Sequence, residues 1–293
     1  MKVVLVTGAG GFVGKDAIAR LARRGWHVKA MVRRPTASLP AAELVQADMR
    51  DAASLRMAVK SADAVVHLAA AKSDEPESVD VNVEGARRLV AACEAEGCTR
   101  FINISTMAVK IPRQGTYART KAEADAVFEG SRLEVTTLLP SVVYGEERDG
   151  VFGTVLKFIQ KLPVVPVLGD GRWISAPLYI GDLSDTIGAC LETDITKGKR
   201  YDLGGPDLIS FNEFIDRIST ALGLRRPKLH IPFSVALAMA EIATRILPHC
   251  PITVSNVLGS NQTVPIDIEP ARRDFGFAPM DFNTGLAKCL KAS

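Results

Sequence analysis

The sequence predicts an α/β fold, a doubly wound parallel sheet with a smaller C-terminal lobe, and three observations predict it. Through the first 140 residues, short apolar runs alternate with helix-length amphipathic stretches, the pattern of repeated strand–helix units. The runs are mostly apolar throughout instead of alternating with polar residues, as strands covered by helices on both faces must be. The first run ends in a glycine-rich turn, Thr7 to Gly14, that opens the first amphipathic stretch.

In chain order, the expected strands are Lys2–Thr7, His27–Arg33, Leu44–Ala47, Ala64–Leu68, Phe101–Ser105 and Val135–Leu139. The helices between them are expected at Phe12–Arg24, Ala52–Lys60, Val81–Glu96 and Tyr117–Gly130. After Pro140 the regularity fails. Pro163, Pro166, Gly169 and Gly171 break the chain, and helices are expected at Leu183–Leu191, Phe211–Leu222 and Phe233–Leu247. Ser210 with Glu213 three residues on reads as a capping box for the second of these. Residues 1–145 therefore read as the sheet domain. Residues 146–293 read mainly as a substrate-binding lobe, with some segments returning to the sheet. Ligands of such folds sit at the carboxyl ends of the strands, so the site is expected in the cleft between sheet and lobe.

Bulk properties exclude several classes. Of 293 residues, 47% are hydrophobic and 24% charged, an ordinary globular balance with ample material for a core. A net charge of +3, spread along the chain, argues against a nucleic-acid partner. The first strand starts at Lys2, leaving no space for a secretory signal. The best membrane candidate, Pro232 to Pro248, is short and interrupted by Glu241 and Arg245. Five cysteines without a CxxC pair read as reduced thiols of a cytoplasmic protein, and the four histidines show no metal-ligand spacing.

The glycines Gly8, Gly11 and Gly14 stand at GxxGxxG spacing in a strand–turn–helix context. Gly8 allows the tight turn, Gly11 a close approach to a pyrophosphate, and Gly14 close packing of helix on strand, while the helix N-terminus attracts the phosphates. This is the Rossmann dinucleotide-binding arrangement. NAD-specific sites place an acid at the end of the second strand to hold the ribose 2′-hydroxyl. Here that strand runs into Arg33-Arg34, whose guanidinium groups suit a 2′-phosphate, so NADP(H) is favoured, with NAD as the alternative. The same arginines also read as a solvated loop pair. Asp48 suits either a contact with the adenine amino group or a cap on the helix opening near Asp51.

Tyr117 and Lys121, at i and i+4, share one helix face. A neighbouring ammonium is expected to lower the phenol's pKa and let it act as an acid–base group. Just upstream, Ser105-Thr106 at a strand end offers a hydroxyl to hold a substrate oxygen.

With these motifs the chain resembles the extended short-chain dehydrogenase/reductase family over essentially its whole length. The supporting stretches are TGAGGFVG, His67-Leu68-Ala69-Ala70, Asn82, Ser105-Thr106, Tyr117 with Lys121, Leu139 to Gly145, Tyr179 to Leu183, and Pro270–Pro279. The resemblance implies that Tyr117 is the general acid–base and that Lys121 binds the nicotinamide ribose. It implies that Thr106 bonds the reacting oxygen, with Ser105 as substitute if the register is one residue out. Expected cofactor contacts are Gly8, Gly10, Gly11, Phe12, Val13, Gly14, Arg33, Arg34, Asp48, Met49, Leu68, Ala69, Ala70, Asn82, Tyr117, Lys121, Pro140, Val142 and Val143. Expected substrate contacts are Ala71, Thr106, Met107, Tyr144 and Arg172; no metal is expected. His67 is read as structural.

The family contains dehydrogenases, reductases, epimerases and dehydratases. Relatives that dehydrate sugar nucleotides carry Asp-Glu after the catalytic threonine. Met107-Ala108 stands here, and neither can transfer a proton. Epimerases place an arginine where this chain has Ser175, although Arg172 stands nearby. The expected activity is therefore an NAD(P)(H)-dependent oxidoreductase at a secondary alcohol or ketone. A nucleotide-sugar epimerase retaining NAD and a non-catalytic dinucleotide-binding scaffold are the alternatives. The apolar stretch Ile231–Leu247 reads as a buried lobe helix, a pocket wall for an apolar ketone, or a contact with a membrane surface or partner. The partner is a small-molecule substrate, and the resemblance is compatible with a homodimer through the Val81–Glu96 and Tyr117–Gly130 helices.

Overall fold

Seven parallel strands form the central sheet of the computed structural model, which describes residues 1–34, 39–72, 76–246, 257 and 262–291, without the side chains of 242–246. Strands β1 (Val3–Thr7), β2 (His27–Val32), β3 (Glu43–Gln46), β4 (Ala64–His67), β5 (Arg100–Ile104), β6 (Glu134–Pro140) and β7 (Lys199–Leu203) lie in the order β3-β2-β1-β4-β5-β6-β7. The order reverses between β1 and β4. There the chain leaves β1 into one helical layer and β4 into another, which opens a crevice at the strands' carboxyl ends.

The helices are α1 (Phe12–Arg23), α2 (Ala52–Val59), α3 (Gly85–Glu96), α4 (Thr116–Glu129), α5 (Gly150–Lys161), α6 (Ile180–Glu192), α7 (Phe211–Ala221), α8 (Phe233–Ile246), α9 (Glu269–Phe275) and α10 (Phe282–Lys291). The pleat of β1 shows how the sheet is held. Val4 and Val6 face a core shared with Ile18 and Leu21 of α1 and Leu183 and Ile187 of α6, while Leu5 faces Leu55, Leu89 and Phe128 from α2, α3 and α4. Each face of the sheet is thus sealed by helices, as the apolar runs require.

All six expected strands form, to within a residue at either end. The seventh, β7, pairs with β6 from Lys199↔Thr136 to Leu203↔Pro140. It is an edge strand whose first two residues are exposed, so its sequence, Lys-Arg-Tyr-Asp-Leu, lacks the apolar signature of its neighbours. Helix α5 is a further addition. Asp149 caps it by accepting from the Gly150 amide. The third expected helix corresponds to α8, and Leu247 lies outside the described residues. At α7, Ser210 Oγ accepts from the Glu213 amide at 3.1 Å, but Glu213 turns to Arg217 instead of completing the box.

The lobe has its own core, in which Tyr144, Phe152, Phe214 and Phe282 pack with Leu156, Ile215 and Leu286. Two bonds lock the C-terminal segment under it. The Met280 amide donates to Asp182 at 2.8 Å, and the Phe282 amide donates to Asp207 at 2.7 Å. Burial raises the Asp182 pKa above its usual range. No described helix is long and apolar enough to cross a membrane.

Candidate active site

Gly8 ends β1 in a left-handed conformation, φ +68°. A β-carbon there would stand 2.7 Å from the Leu68 carbonyl carbon and the Ala69 nitrogen, so the turn runs hard against the end of β4. The Gly11 amide donates to the Gly8 carbonyl at 2.9 Å and closes the turn. A β-carbon on Gly14 would stand 2.4 Å from the Gly8 oxygen, so α1 seats directly on the loop. Gly10 has open space around it. Helix α1 has no side-chain cap and no acid in its first turn, which leaves its first amides available to an anion.

Thr7 joins the two sides of the crevice. Its Oγ1 accepts from the Leu68 and Ala69 amides, each at 3.2 Å, and bonds His67 Nδ1 at 2.9 Å. With two donors already on that oxygen, the hydroxyl proton goes to Nδ1. Burial and the nearby Lys121 charge hold the His67 pKa well below normal, so the ring is neutral and accepts at Nδ1. The run Leu68 to Ala71 beyond it is half-buried at the carboxyl end of β4.

Asn82, buried in a π-helical turn (Val79–Glu84) before α3, spends its amide on protein. Its Oδ1 accepts from the Ala71 amide at 2.8 Å, and its Nδ2 donates to the Ala71 carbonyl and to Thr120 Oγ1, both at 3.0 Å. Thr120 lies between Tyr117 and Lys121, so Asn82 ties the Leu68–Ala71 run to α4.

At the end of β2, Arg33 and Arg34 are exposed. Asp48 is engaged by Arg50, through a two-point ion pair at 3.1 and 2.8 Å and through the Arg50 amide. Those bonds, with a smaller contribution from Arg33, pull its pKa down to about 2. The cap of α2 is Asp51, which accepts from the Ala53 and Ser54 amides, so Asp48 is free of that duty. Met49 is buried, its side chain packed where a β-carbon on Gly85 would stand 3.1 Å away.

Helix α4 carries Tyr117, half-buried, and Lys121, 2% exposed. Lys121 Nζ donates to the Ile104 carbonyl at the end of β5, at 2.8 Å. Burial lowers the lysine's pKa, and Asp125 one turn later opposes that. The Tyr117 pKa is pushed up to about 12, against the lowering expected from the spacing alone. Burial strips solvent from the phenolate and the Asp125 charge adds repulsion, while the ammonium is turned towards Ile104.

Adjacent residues at the end of β5 face opposite ways. The Ser105 hydroxyl donates to Asp125 Oδ2 at 2.5 Å inside the core. Thr106 is half-buried, and its Oγ1 accepts only the Ala108 amide at 3.2 Å among the described residues. Met107 is buried. Pro140 is buried, and Val142 and Val143 are half-buried on the segment after β6. That segment is tied to the lobe by the Leu178 amide on the Val142 carbonyl, at 2.9 Å.

One expected substrate contact, Tyr144, is in the lobe core instead. Tyr144 is fully buried between Phe152, Tyr179 and Phe282, and its hydroxyl lies 2.0 Å from where a β-carbon on Gly285 would be. Arg172 is exposed, its amide bonded to Asp170. Ser175 is buried in a two-residue antiparallel ladder with Ile209. Asp125 was not among the expected site residues. Its i+4 spacing from Lys121 was the available signal. Among the described residues no group of three His, Cys, Asp or Glu side chains could hold a metal.

Fold, glycine loop and the α4 pair agree with a family-level match. Residues 4–204 match the model of the NAD dependent epimerase/dehydratase family, and the chain belongs to that family of enzymes. It is 26% identical to 2-alkyl-3-oxoalkanoate reductase of Stenotrophomonas maltophilia, covering 99% of this chain and 98% of that one. It is 27% identical to mitochondrial NADH dehydrogenase (ubiquinone) 1 alpha subcomplex subunit 9 of Arabidopsis thaliana over 81% of this chain, but spans only 62% of that protein. The solved structure of MoeE5 in complex with UDP-glucuronic acid and NAD superposes with a TM-score of 0.81 at 22% identity, covering 99% of this chain and 98% of MoeE5.

Proposed function

We propose that this protein is an NADP(H)-preferring reductase of a ketone, acting reversibly on the matching secondary alcohol. The observation that carries the reading is Lys121. This ammonium, 2% exposed and held by the Ile104 carbonyl, sits one turn from Tyr117 at the carboxyl end of the sheet, where a buried charge beside a phenol marks a functional site. The loop that would hold a dinucleotide fits it: Gly8 is packed too tightly for a side chain, Gly10 is open, and the amides at the start of α1 lack a cap. Leu68 to Ala71 would line the groove, Lys121 would bond the ribose, and Arg33 with Arg34 would meet a 2′-phosphate. A bound nicotinamide supplies or accepts the hydride at the carbon of the reacting carbonyl.

The chain's own residues handle the oxygen. Thr106 Oγ1 donates to the carbonyl and fixes its orientation, and Tyr117 transfers its proton to that oxygen as the carbon is reduced. The Tyr117 phenol is protonated at neutral pH, as the donor in the reductive direction must be, and its burial makes it a weaker acid before ligands bind. Lys121 then stabilises the phenolate left behind.

The full-length similarity to an oxoalkanoate reductase supports a ketone substrate. Met107 and Ala108 provide no proton for an elimination, and Ser175, paired in a strand ladder, stands where an epimerase would have an arginine to grip a diphosphate. The scaffold reading, which similarity to a respiratory-complex subunit would favour, needs Lys121 for the ribose but leaves the Tyr117–Lys121 couple with no proton to move. The test is to denature the purified protein, identify released dinucleotide by mass spectrometry, and follow oxidation of NADPH and NADH with a ketone series. Exchangeable NADPH and ketone-dependent turnover are expected. A retained NAD with no net turnover would overturn the reductase reading.

A further inference from the structure

A buried polar network lies behind the Tyr117–Lys121 pair. Asp125 is 1% exposed, one helical turn after Lys121 on α4. Its Oδ1 accepts from Asn103 Nδ2 of β5 at 2.8 Å and its Oδ2 accepts from Ser105 Oγ, just after β5, at 2.5 Å. Arg200 of β7 approaches Oδ2 at 3.4 Å and pairs with Glu129 of α4, which also accepts from Thr137 of β6 at 3.0 Å. Three strands are thus bonded to one face of α4.

We propose that Asp125 is a positioning residue for the site, supplying the negative charge that faces Lys121 and tying α4 to the strand that carries Thr106. Two features of the geometry support it. A carboxylate buried this deeply needs partners, and those it has are the two hydrogen-bonding side chains just before Thr106 and the arginine of the edge strand. Taking the Ser105 hydroxyl inward also leaves Thr106 as the one hydroxyl of that pair turned to the crevice.

The titratable and charged groups around the ammonium are Tyr117 and Asp125 from α4, His67 from β4, and Arg200 with Glu129 beyond Asp125. His67 is neutral, so Asp125 is the anion that answers Lys121, with Arg200 partly screening it. Asp125 raises the affinity of both Lys121 and Tyr117 for protons. Losing it should displace the titration of both towards acid.

The proposal rests on the reductase reading for its catalytic meaning, but its test does not need turnover. The Lys121 midpoint is followed by NMR of labelled lysine side chains, the resonance being identified by its loss in Lys121→Met. In Asp125→Asn the midpoint should fall by about one pH unit, the effect of an ion several ångströms away at a protein's effective dielectric. Arg200→Gln, at a half-exposed side chain, should move it the opposite way by about half a unit. The alkaline limb of ketone reduction should shift to lower pH in Asp125→Asn, where a purely structural role would lower kcat without moving the profile. An unchanged Lys121 midpoint in folded Asp125→Asn, or a fall in Arg200→Gln, would overturn the proposal. If Asp125→Asn does not fold, Arg200→Gln decides alone. Absence of ketone turnover with the expected Lys121 shifts would count against the reductase reading and leave the positioning role standing.

Discussion

Replacing Gly8 with alanine tests the turn on which cofactor binding depends. At φ +68° an alanine costs about 1–2 kcal/mol of backbone strain. Its β-carbon would lie 2.7 Å from Leu68 and Ala69 backbone atoms and 2.9 Å from the Leu68 oxygen, and no flexible side chain can move out of the way. Relief requires the end of β4 to retreat, which strains the two amide bonds Thr7 accepts there; overpacking of this kind costs about 1–3 kcal/mol. The total is about 3 kcal/mol, and a domain of this size should lose about 6–12 °C in Tm. Gly10→Ala is the matched control. Its added methyl meets nothing within 4 Å, so stability should stay within about 0.5 kcal/mol of wild type. Scanning calorimetry and chemical denaturation of both variants make the comparison. A Gly8→Ala protein as stable as Gly10→Ala would refute the close approach of loop and strand.

Other expectations follow from neighbouring residues. Arg33→Ala should weaken NADPH by about 10–100-fold while leaving NADH nearly unchanged, the size of a lost charge-assisted bond, as read by fluorescence titration; equal loss for both cofactors would remove the 2′-phosphate role. Thr106→Ala should lower kcat by about 10²-fold, whereas Ser105→Ala, whose hydroxyl donates to the buried Asp125 carboxylate, should mainly cost about 2 kcal/mol of stability. His67 is neutral when folded and protonates once unfolded. The unfolded state therefore binds more protons below pH 6.5, and stability should fall with acid by up to about 1.4 kcal/mol per pH unit. His67→Asn should flatten that slope in denaturant titrations between pH 6 and 5. Asp48 has a folded pKa near 2 against 3.8, so its share of stability is present above pH 4 and lost as pH falls through 2; Asp48→Asn should blunt that acid limb.

The sheet could be read because buried parallel strands are apolar throughout, and the phosphate loop because glycine spacing reports backbone geometry. Strand β7 escaped because an edge strand exposing Lys199 and Arg200 needs no apolar run. Helix α5 escaped because Gly150 and Gly153 look like breakers. In the structure a β-carbon on Gly153 would collide with the Arg148 carbonyl, so the glycine permits the helix to pack. Ser105 and Thr106 show the limit of motif reading at a strand end, where one residue of register decides core or crevice. Tyr144 was expected beside substrate from the family resemblance, but the aromatic partners contributed by α5 and α10 reveal that it is core. Likewise the spacing of Tyr117 and Lys121 placed them on one helix face. It could not show that burial and Asp125 would raise the phenol's pKa before any ligand arrives.

Tyr117→Phe is the most direct test that this site moves a proton during hydride transfer. The phenol has no hydrogen-bond partner among the described residues, so removing its oxygen leaves the fold undisturbed. Ketone-dependent NADPH oxidation should fall by about 10²–10⁴-fold, while the dissociation constant for NADPH, measured by fluorescence titration, stays within about threefold of wild type. Turnover that survives the substitution would contradict the assignment of Tyr117, and with it the mechanism built on the Tyr117–Lys121 pair.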